Sequence, residues 1–256
     1  MNERTQMRLI VLCPPDPLSA LAAEEAVLEA VDAGLAGPAW LFWTSPGRAA
    51  VLGTSRPAGG DLFLEQLAAD NVPVWRRRSG GGTVLLGPES PAVTCVERLP
   101  HPGAGSIRES YRAFCAVLIA AFTRLGLEAR FEPPADLAIG ARKIAGLAQR
   151  RKRSAALVTA SVLARPLASE CARYLRQPPP EDSPAYRAGR SHVDFMTSLA
   201  AEGLADPGDP AERFFEALRA ELSDRGAAAG ALTADEARRA SEIAGELAAP
   251  EWRLRL

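Results

Sequence analysis

Three consecutive glycines, Gly80-Gly81-Gly82, stand between two β-prone runs and constrain this chain more than any other feature. Asn71-Val72-Pro73-Val74 leads in, Thr83-Val84-Leu85-Leu86 leads out, and Trp75-Arg76-Arg77-Arg78-Ser79 lies between. Glycines inside a strand pattern pack nothing and weaken the strand. They belong where the backbone bends sharply or another group comes close. Successive N–H groups in such a turn form a concavity for anions, and neighbouring arginines add forked donors that suit phosphate or carboxylate. A plain glycine turn with solvated arginines would use the same residues, so the rest of the chain must decide.

At 256 residues and 47% hydrophobic, the chain suffices for one large domain or one domain with a small appendage. A net charge of -1 lacks the basic excess of a general nucleic-acid or membrane-surface binder, so neither is expected as a partner. The positive charge is local instead. Arg76, Arg77 and Arg78 form one segment, and Arg142, Lys143, Arg150, Arg151, Lys152 and Arg153 another, a pattern that suits a localised anionic ligand. Cys13, Cys95, Cys115 and Cys171 lie far apart without C-x-x-C or a neighbouring histidine, so no metal site is read. Four reduced thiols are expected. With no signal-peptide pattern and no apolar run of about 18 residues, a soluble, cytoplasmic protein is expected.

The periodicity predicts a first strand over Met7–Leu12 and a helix from Pro17 whose largely apolar face carries Leu18, Leu21, Ala22, Glu25, Leu28 and Val31. Two short apolar strands, 39–43 and 49–53, flank the Ser45-Pro46-Gly47 turn. A short helix over 61–69, the glycine stretch and a strand over 92–96 follow. Ser106 and Glu109 form a capping-box pattern opening a long helix with Ile107, Tyr111, Phe114, Leu118, Phe122 and Leu125 as its core stripe and Gly126 as its stop. Runs at 137–139, 143–148 and 155–163 read as an antiparallel meander. Beyond, 167–175 is a short helix, Gln177–Pro184 a Pro-rich surface linker, and 214–222 and 234–247 are helices, the last with a Thr233/Glu236 box. Residues 1–165 thus read as a mixed α+β core and 166–256 as a helical C-terminal part of the same domain.

The two common phosphate fingerprints are absent: no Lys-Ser/Thr follows the glycines, and they do not match G-x-G-x-x-G. No serine sits in a G-x-S-x-G elbow, and His101 and His192 have no partner at ligand spacing. What remains is the pairing of the glycine loop with Arg142-Lys143-Ile144-Ala145-Gly146-Leu147-Ala148-Gln149-Arg150. A lysine opening a strand presents one compact charge to phosphate or carboxylate. It can stabilise charge on both while they react. A surface lysine on an edge strand is the plain alternative.

Arg-Arg-x-Ser-Gly-Gly-Gly followed about 60 residues later by Arg-Lys-(hydrophobic)-x-Gly-x-Ala-Gln-Arg resembles the lipoate–protein ligase A family, of the biotin/lipoyl protein ligase fold. Asp16-Pro17 with Leu21-Ala22-x-Glu24-Glu25, the segment 65–74, and Leu232–Glu236 with Pro250-Glu251-Trp252 agree with it, so the resemblance runs over nearly the whole chain. It implies mixed, mostly antiparallel sheets packed with helices, and ATP with Mg2+ as the activating pair. Lipoate or octanoate would become an acyl-adenylate, then pass to a lysine of a lipoyl-carrier domain. A separate accessory subunit is a further implied partner. Carried over by motif, Lys143 would be the catalytic charge on acyl carbonyl and α-phosphate. Arg76, Arg77, Ser79, Gly80, Gly81, Gly82, Thr83, Val84, Leu85, Asp136 and Gly146 would bind ATP or acyl-AMP.

The chain also departs from the family pattern. Leu86-Gly87 stand for His-Asp, Ala135-Asp136 for Asn-Asp, Thr159-Ala160-Ser161 for His-Gly-Thr, and Gly53-Thr54-Ser55-Arg56-Pro57 for Gly-Arg-x-Gln-Asn. Two alternatives on the same fold follow. One is a cofactor-independent octanoyl or lipoyl transferase using a cysteine thioester, with Cys95 and Cys115 as thiols to test, although no cysteine lies between Glu128 and Lys143. The other is a non-catalytic protein that binds acyl group or nucleotide without turnover.

Overall fold

The computed structural model describes residues 6–204 and 208–254. The first half runs β1 (Arg8–Leu12), α1 (Pro17–Asp32), β2 (Ala39–Trp43), β3 (Ala49–Leu52), α2 (Ala58–Asp61), α3 (Leu64–Ala69), β4 (Val74–Arg76), β5 (Val84–Leu86), β6 (Ala92–Arg98) and α4 (Ile107–Arg124). The second runs β7 (Ala129–Glu132), β8 (Asp136–Ile139), β9 (Arg142–Arg151), β10 (Ala155–Val162), α5 (Ala168–Tyr174), α6 (His192–Phe195), α7 (Pro210–Asp224), β11 (Ala228–Gly230), α8 (Ala234–Ala248) and α9 (Pro250–Arg253). Eight strands form one sheet in the order β11-β1-β2-β6-β10-β9-β8-β7, and three a second in the order β4-β3-β5. Pairing is antiparallel from β2 through to β7, while β1 runs parallel to both β2 and β11. No helix among the described residues is long and apolar enough to cross a membrane.

The meander β8-β9-β10 forms as the sequence predicts. Its outer neighbour β7 escaped the reading, because Ala129-Arg130-Phe131-Glu132 is short and half charged, as edge strands often are. The neighbours β2 and β3 are not a hairpin. Every residue of both is buried, so each is a central strand of its own sheet with no solvent face for a partner to share. The glycine stretch likewise joins two strands that do not pair with each other: β4 and β5 lie on opposite sides of β3.

The capping boxes at Ser106/Glu109 and Thr233/Glu236 both form. Tyr111, Phe114, Leu118 and Phe122 of α4 face the core, with Phe114 stacked on Trp40 and Phe122 against Phe214 of α7. Ile107, expected in that stripe, is 59% exposed in the first turn. Helix α1 is buried on two faces rather than one, since α8 covers the side that the sheet does not.

One ion pair pins α8 to β1. Arg8 donates from Nη1 and Nη2 to Glu236 Oε2 and Oε1 at 2.9 and 2.8 Å, and Glu236 Oε2 also accepts the Thr233 backbone N–H at 2.7 Å. Burial alone would raise the Glu236 carboxyl, but the Arg8 and Thr233 hydrogen bonds outweigh it and hold it below the ordinary glutamate value. Its charge therefore stabilises the fold above about pH 4.3 and loses that effect as pH falls. Glu236→Gln keeps an acceptor for the cap but loses the charge. It is expected to cost about 1–2 kcal/mol at pH 7, with the difference from wild type shrinking in acid. Urea melts at pH 7 and pH 3 check both the size and the sign.

Candidate active site

The site is organised by a slip in one strand pair. Asp136 of β8 lies opposite Gly146 of β9 and Leu137 opposite Ala145, but Ala138 lies opposite Lys143, so Ile144 is an extra residue in the ladder. In a regular strand, residues three apart point to opposite faces. The bulge brings Lys143 round to the face of Gly146 and Asp136. Lys143 Nζ then sits 2.6 Å from Asp136 Oδ1. A side chain on Gly146 would meet the lysine itself, 2.9 Å from Nζ and 3.0 Å from Cε, which explains glycine at this spacing. The other Asp136 oxygen accepts the Tyr186 hydroxyl at 3.0 Å, and burial followed by the Asp136 charge pushes that phenol up.

Lys143, Asp136 and Gly146 line a cavity of about 350 Å3 walled by strands of both sheets and by α1. From the glycine loop, Arg77, Gly81, Gly82, Thr83, Val84 and Leu85 line it too. Trp43, Val51, Leu86 and Ala92 supply apolar wall. The loop is stitched from both sides. The backbone N–H of Arg77 donates to Leu52 O and that of Thr54 to Ser79 O, while the N–H of Gly80 donates to Gln149 O, each at 3.0 Å. Gly81 has φ +88°, the left-handed region that favours glycine. A Cβ on Gly53 would lie 2.1 Å from Gly81 O, so the two chain segments touch backbone to backbone.

The three arginines of the loop have separate fates. Arg77 is buried, with Nη2 donating to Gly80 O at 2.8 Å and Gly82 O at 2.7 Å and Nη1 to Val51 O at 3.2 Å. It shapes the loop from within. Burial pulls this guanidinium down to about 10, and the nearby Glu24 opposes that pull. Arg76 does not line the cavity: it donates to the carbonyls of Gly53, Arg56 and Trp252 instead. Ser79 and Gly80 are also outside the lining, their backbone groups held by Thr54 and Gln149. Arg78 pairs with Glu25, Glu29 and Glu246.

The expectation that both basic segments serve one anion is corrected accordingly. Arg150 and Lys152 join Arg78 on the acidic side of α1, at 3.1 Å from Glu25 and 3.3 Å from Glu29. Arg151 donates to Ser110 and to the Ala104 and Gly105 carbonyls, and Arg142 to Glu202. Of the nine basic residues, Arg77 and Lys143 face the cavity. Arg78, Arg150 and Lys152 instead tie the carboxylates of α1 and α8 to the sheet.

Several wall residues were not legible as such. Glu24, on a helix face that reads as apolar, accepts Trp43 Nε1–H at 2.8 Å and the Thr94 hydroxyl at 2.5 Å, and Thr94 reaches Thr159 at 2.7 Å. Burial raises the Glu24 carboxyl. The Pro-rich segment 177–184, expected as a surface linker, contributes Gln177, Pro178, Asp182 and Pro184 to the cavity, tied down where Arg56 meets Asp182. His192 lines the cavity as well, pushed down to about 4 by burial and then by Arg187. Cys171 of α5 is in the lining, whereas Cys95 and Cys115 are not. No group of three or more His, Cys, Asp or Glu among the described residues is arranged to hold a metal.

Comparison with known proteins agrees on the family. The model of the lipoyl protein ligase A/B catalytic domain matches residues 16–223. A candidate lipoate-protein ligase A of Aeropyrum pernix is 33% identical over 146 residues, covering 56% of this chain and 52% of that relative, about half its length. An octanoyltransferase LipM of Kyrpidia tusciae is 28% identical over 261 residues, covering 92% of this chain and 93% of its own. A crystal structure of a lipoate-protein ligase A bound with ATP superposes with a TM-score of 0.84 at 20% identity, covering 98% of this chain and 99% of that one, which shows the shared fold.

Proposed function

Because the chain belongs to the family of lipoyl protein ligase A/B catalytic domains, we propose that it is an ATP-dependent lipoate or octanoate–protein ligase. The observation that carries this reading is Lys143: one ammonium, aimed by Asp136 and given room by Gly146, in the wall of a cavity whose other walls are apolar strands and a clamped glycine loop. The acid's carboxylate oxygen attacks the α-phosphorus, the bond to the β-phosphate oxygen breaks, and pyrophosphate leaves. The carrier lysine's amine then attacks the acyl carbon, the bond to AMP breaks, and the amine gives up a proton as the amide forms.

Lys143 acts in both steps by opposing negative charge on the α-phosphate and then on the carbonyl oxygen. Trp43, Val51, Leu86 and Ala92 offer the apolar surface that an eight-carbon tail requires. Mg2+ would arrive with the nucleotide. The cavity's aspartates are engaged by Lys143, Tyr186 and Arg56, so phosphate oxygens and water would supply most of its ligands. The acceptor is a lipoyl-carrier domain, as the family's reaction requires, and a separate accessory subunit is a further part of this reading. Four free thiols fit a cytoplasmic location.

A second reading has two observations in its favour. Cys171 lines the same cavity as Lys143, and a relative aligned over nearly the whole chain is an octanoyltransferase. In that case the thiol would take the acyl group as a thioester without ATP. Burial pushes the Cys171 thiol up to about 12, with Lys143 opposing, so little thiolate is present at neutral pH.

ATP–pyrophosphate exchange with lipoate, octanoate and biotin separates the readings. Exchange is expected with lipoate or octanoate, and Cys171→Ser is expected to leave it within about threefold. ATP-independent octanoyl transfer that vanishes in Cys171→Ser would establish the transferase instead. Ligand binding with neither turnover would mark a non-catalytic protein.

A further inference from the structure

Arg56 stands where the family pattern has a glutamine, and it lines the same cavity as Lys143. Its backbone is fixed from below: the N–H of Arg56 donates to Gly53 O at 3.1 Å, and its carbonyl accepts Arg76 Nη1 at 2.6 Å. One edge of its guanidinium is held by Asp61, with Nε donating to Oδ2 at 2.8 Å and Nη2 to Oδ1 at 2.6 Å. Thr83 of the glycine loop donates its hydroxyl to the same carboxylate. The remaining terminal nitrogen, Nη1, donates to Asp182 on the proline-rich strap at 2.7 Å.

The two carboxylates are not equivalent. The Asp61 side chain is 10% exposed and doubly engaged, whereas that of Asp182 is 43% exposed with a single bond to Arg56. A pair as exposed as the second is weak. A guanidinium fixed along one edge by a buried carboxylate is a preset fork for a second anion, and phosphate oxygens match it better than a lone carboxylate on a solvated strap. The geometry points to Arg56 as the docking group for the pyrophosphate end of the nucleotide, with Asp182 as a resident stand-in that gives up its place. This rests on the ligase reading for the identity of the polyphosphate, though not for the presence of the anion subsite.

A mechanical latch would use the same contacts, and the signs of two substitutions tell them apart. Were the bridge only a latch, Arg56→Gln and Asp182→Asn would both free the strap and act in the same direction. As an anion subsite, the two act oppositely. Binding of inorganic pyrophosphate and of ATP to the full chain is measured by calorimetry. Arg56→Gln is expected to weaken both at least tenfold, and Asp182→Asn to tighten both about threefold. Asp61→Asn is expected to weaken them through loss of aim, and octanoate affinity is expected to stay within twofold throughout.

Changes of the same sign in Arg56→Gln and Asp182→Asn, or none in either, would overturn the subsite. Normal acid-dependent exchange in wild type together with an unchanged ATP KM in Arg56→Gln would sink the subsite and leave the ligase reading intact. Pyrophosphate binding with the expected signs but no exchange with any acid would do the reverse. A wild type that binds neither pyrophosphate nor ATP overturns both.

Discussion

Replacing Lys143 by alanine is expected to lower acid-dependent ATP–pyrophosphate exchange by two to three orders of magnitude, roughly what the loss of one preorganised donor to a charged transition state costs. The bulge at Ile144 delivers the ammonium to the cavity face, and Asp136 fixes it there at 2.6 Å. Among the described residues no other lysine lines the cavity. Removing it also strands Asp136, whose side chain is only 8% exposed, so some loss of stability is expected. The double variant Lys143→Met/Asp136→Asn removes both charges and is expected to regain stability while staying as inactive as the alanine variant. Asp136→Asn alone keeps the ammonium but loosens its aim, and about a tenfold loss is expected. Exchange rates alongside thermal melts separate the chemistry from the fold. Near-normal exchange in a folded Lys143→Ala protein would end the assignment.

Gly53→Ala is expected to have the second-largest effect, from a position that does not line the cavity. Its new methyl carbon would start 2.1 Å from Gly81 O and 3.1 Å from Gly81 C, both backbone atoms of the loop wall. Ordinary contact demands that the loop retreat by about an ångström. The hydrogen bonds from Arg77 to Gly80 O and Gly82 O resist that retreat. A cost of about 1–3 kcal/mol is expected from overpacking, with exchange falling about a hundredfold as the wall shifts. Gly47→Ala is the matched control, since a methyl there meets nothing within 4 Å. Equal melting temperatures for the two variants would show that the loop yields freely and is not the rigid wall described.

The sequence made the site's location legible through two spacings, the glycine triplet after the arginines and glycine three residues after Lys143. It concealed why the second works. Lys143 and Gly146 should point apart, and the slipped register that reunites them is set by the pairing with β8, which the motif's own spacing does not show. The arginines were ambiguous for a different reason. Arg76, Arg77 and Arg78 look equivalent in a row, yet alternation and burial send one to backbone carbonyls, one into the loop and one to the carboxylates of α1 and α8. Glu24 was hidden by its setting, because nothing local reveals that Trp43 and Thr94 wait across the sheet to bind it. The proline-rich strap read as solvent-facing because its composition is that of a linker. It is tied to the cavity by contacts distant in sequence, the Arg56–Asp182 ion pair and the Gln177 hydrogen bonds to the Gly189 and Arg190 carbonyls.

The parallel pairing of β1 with β11 also bears on how the protein is made. Arg8, Leu9 and Ile10 take Ala228, Ala229 and Gly230 as ladder partners, and Glu236, the carboxylate that fixes Arg8, comes later still. A chain emerging from the ribosome can pair β1 with β2 early, but it must keep the other edge of β1 open until Gly230 has emerged, some 220 residues later. Closure of that edge is therefore expected to come late, slowed by the long sequence separation of the partners. Nascent chains stalled before residue 228 should still carry that open edge, and with it a demand for chaperone cover that the finished protein no longer has.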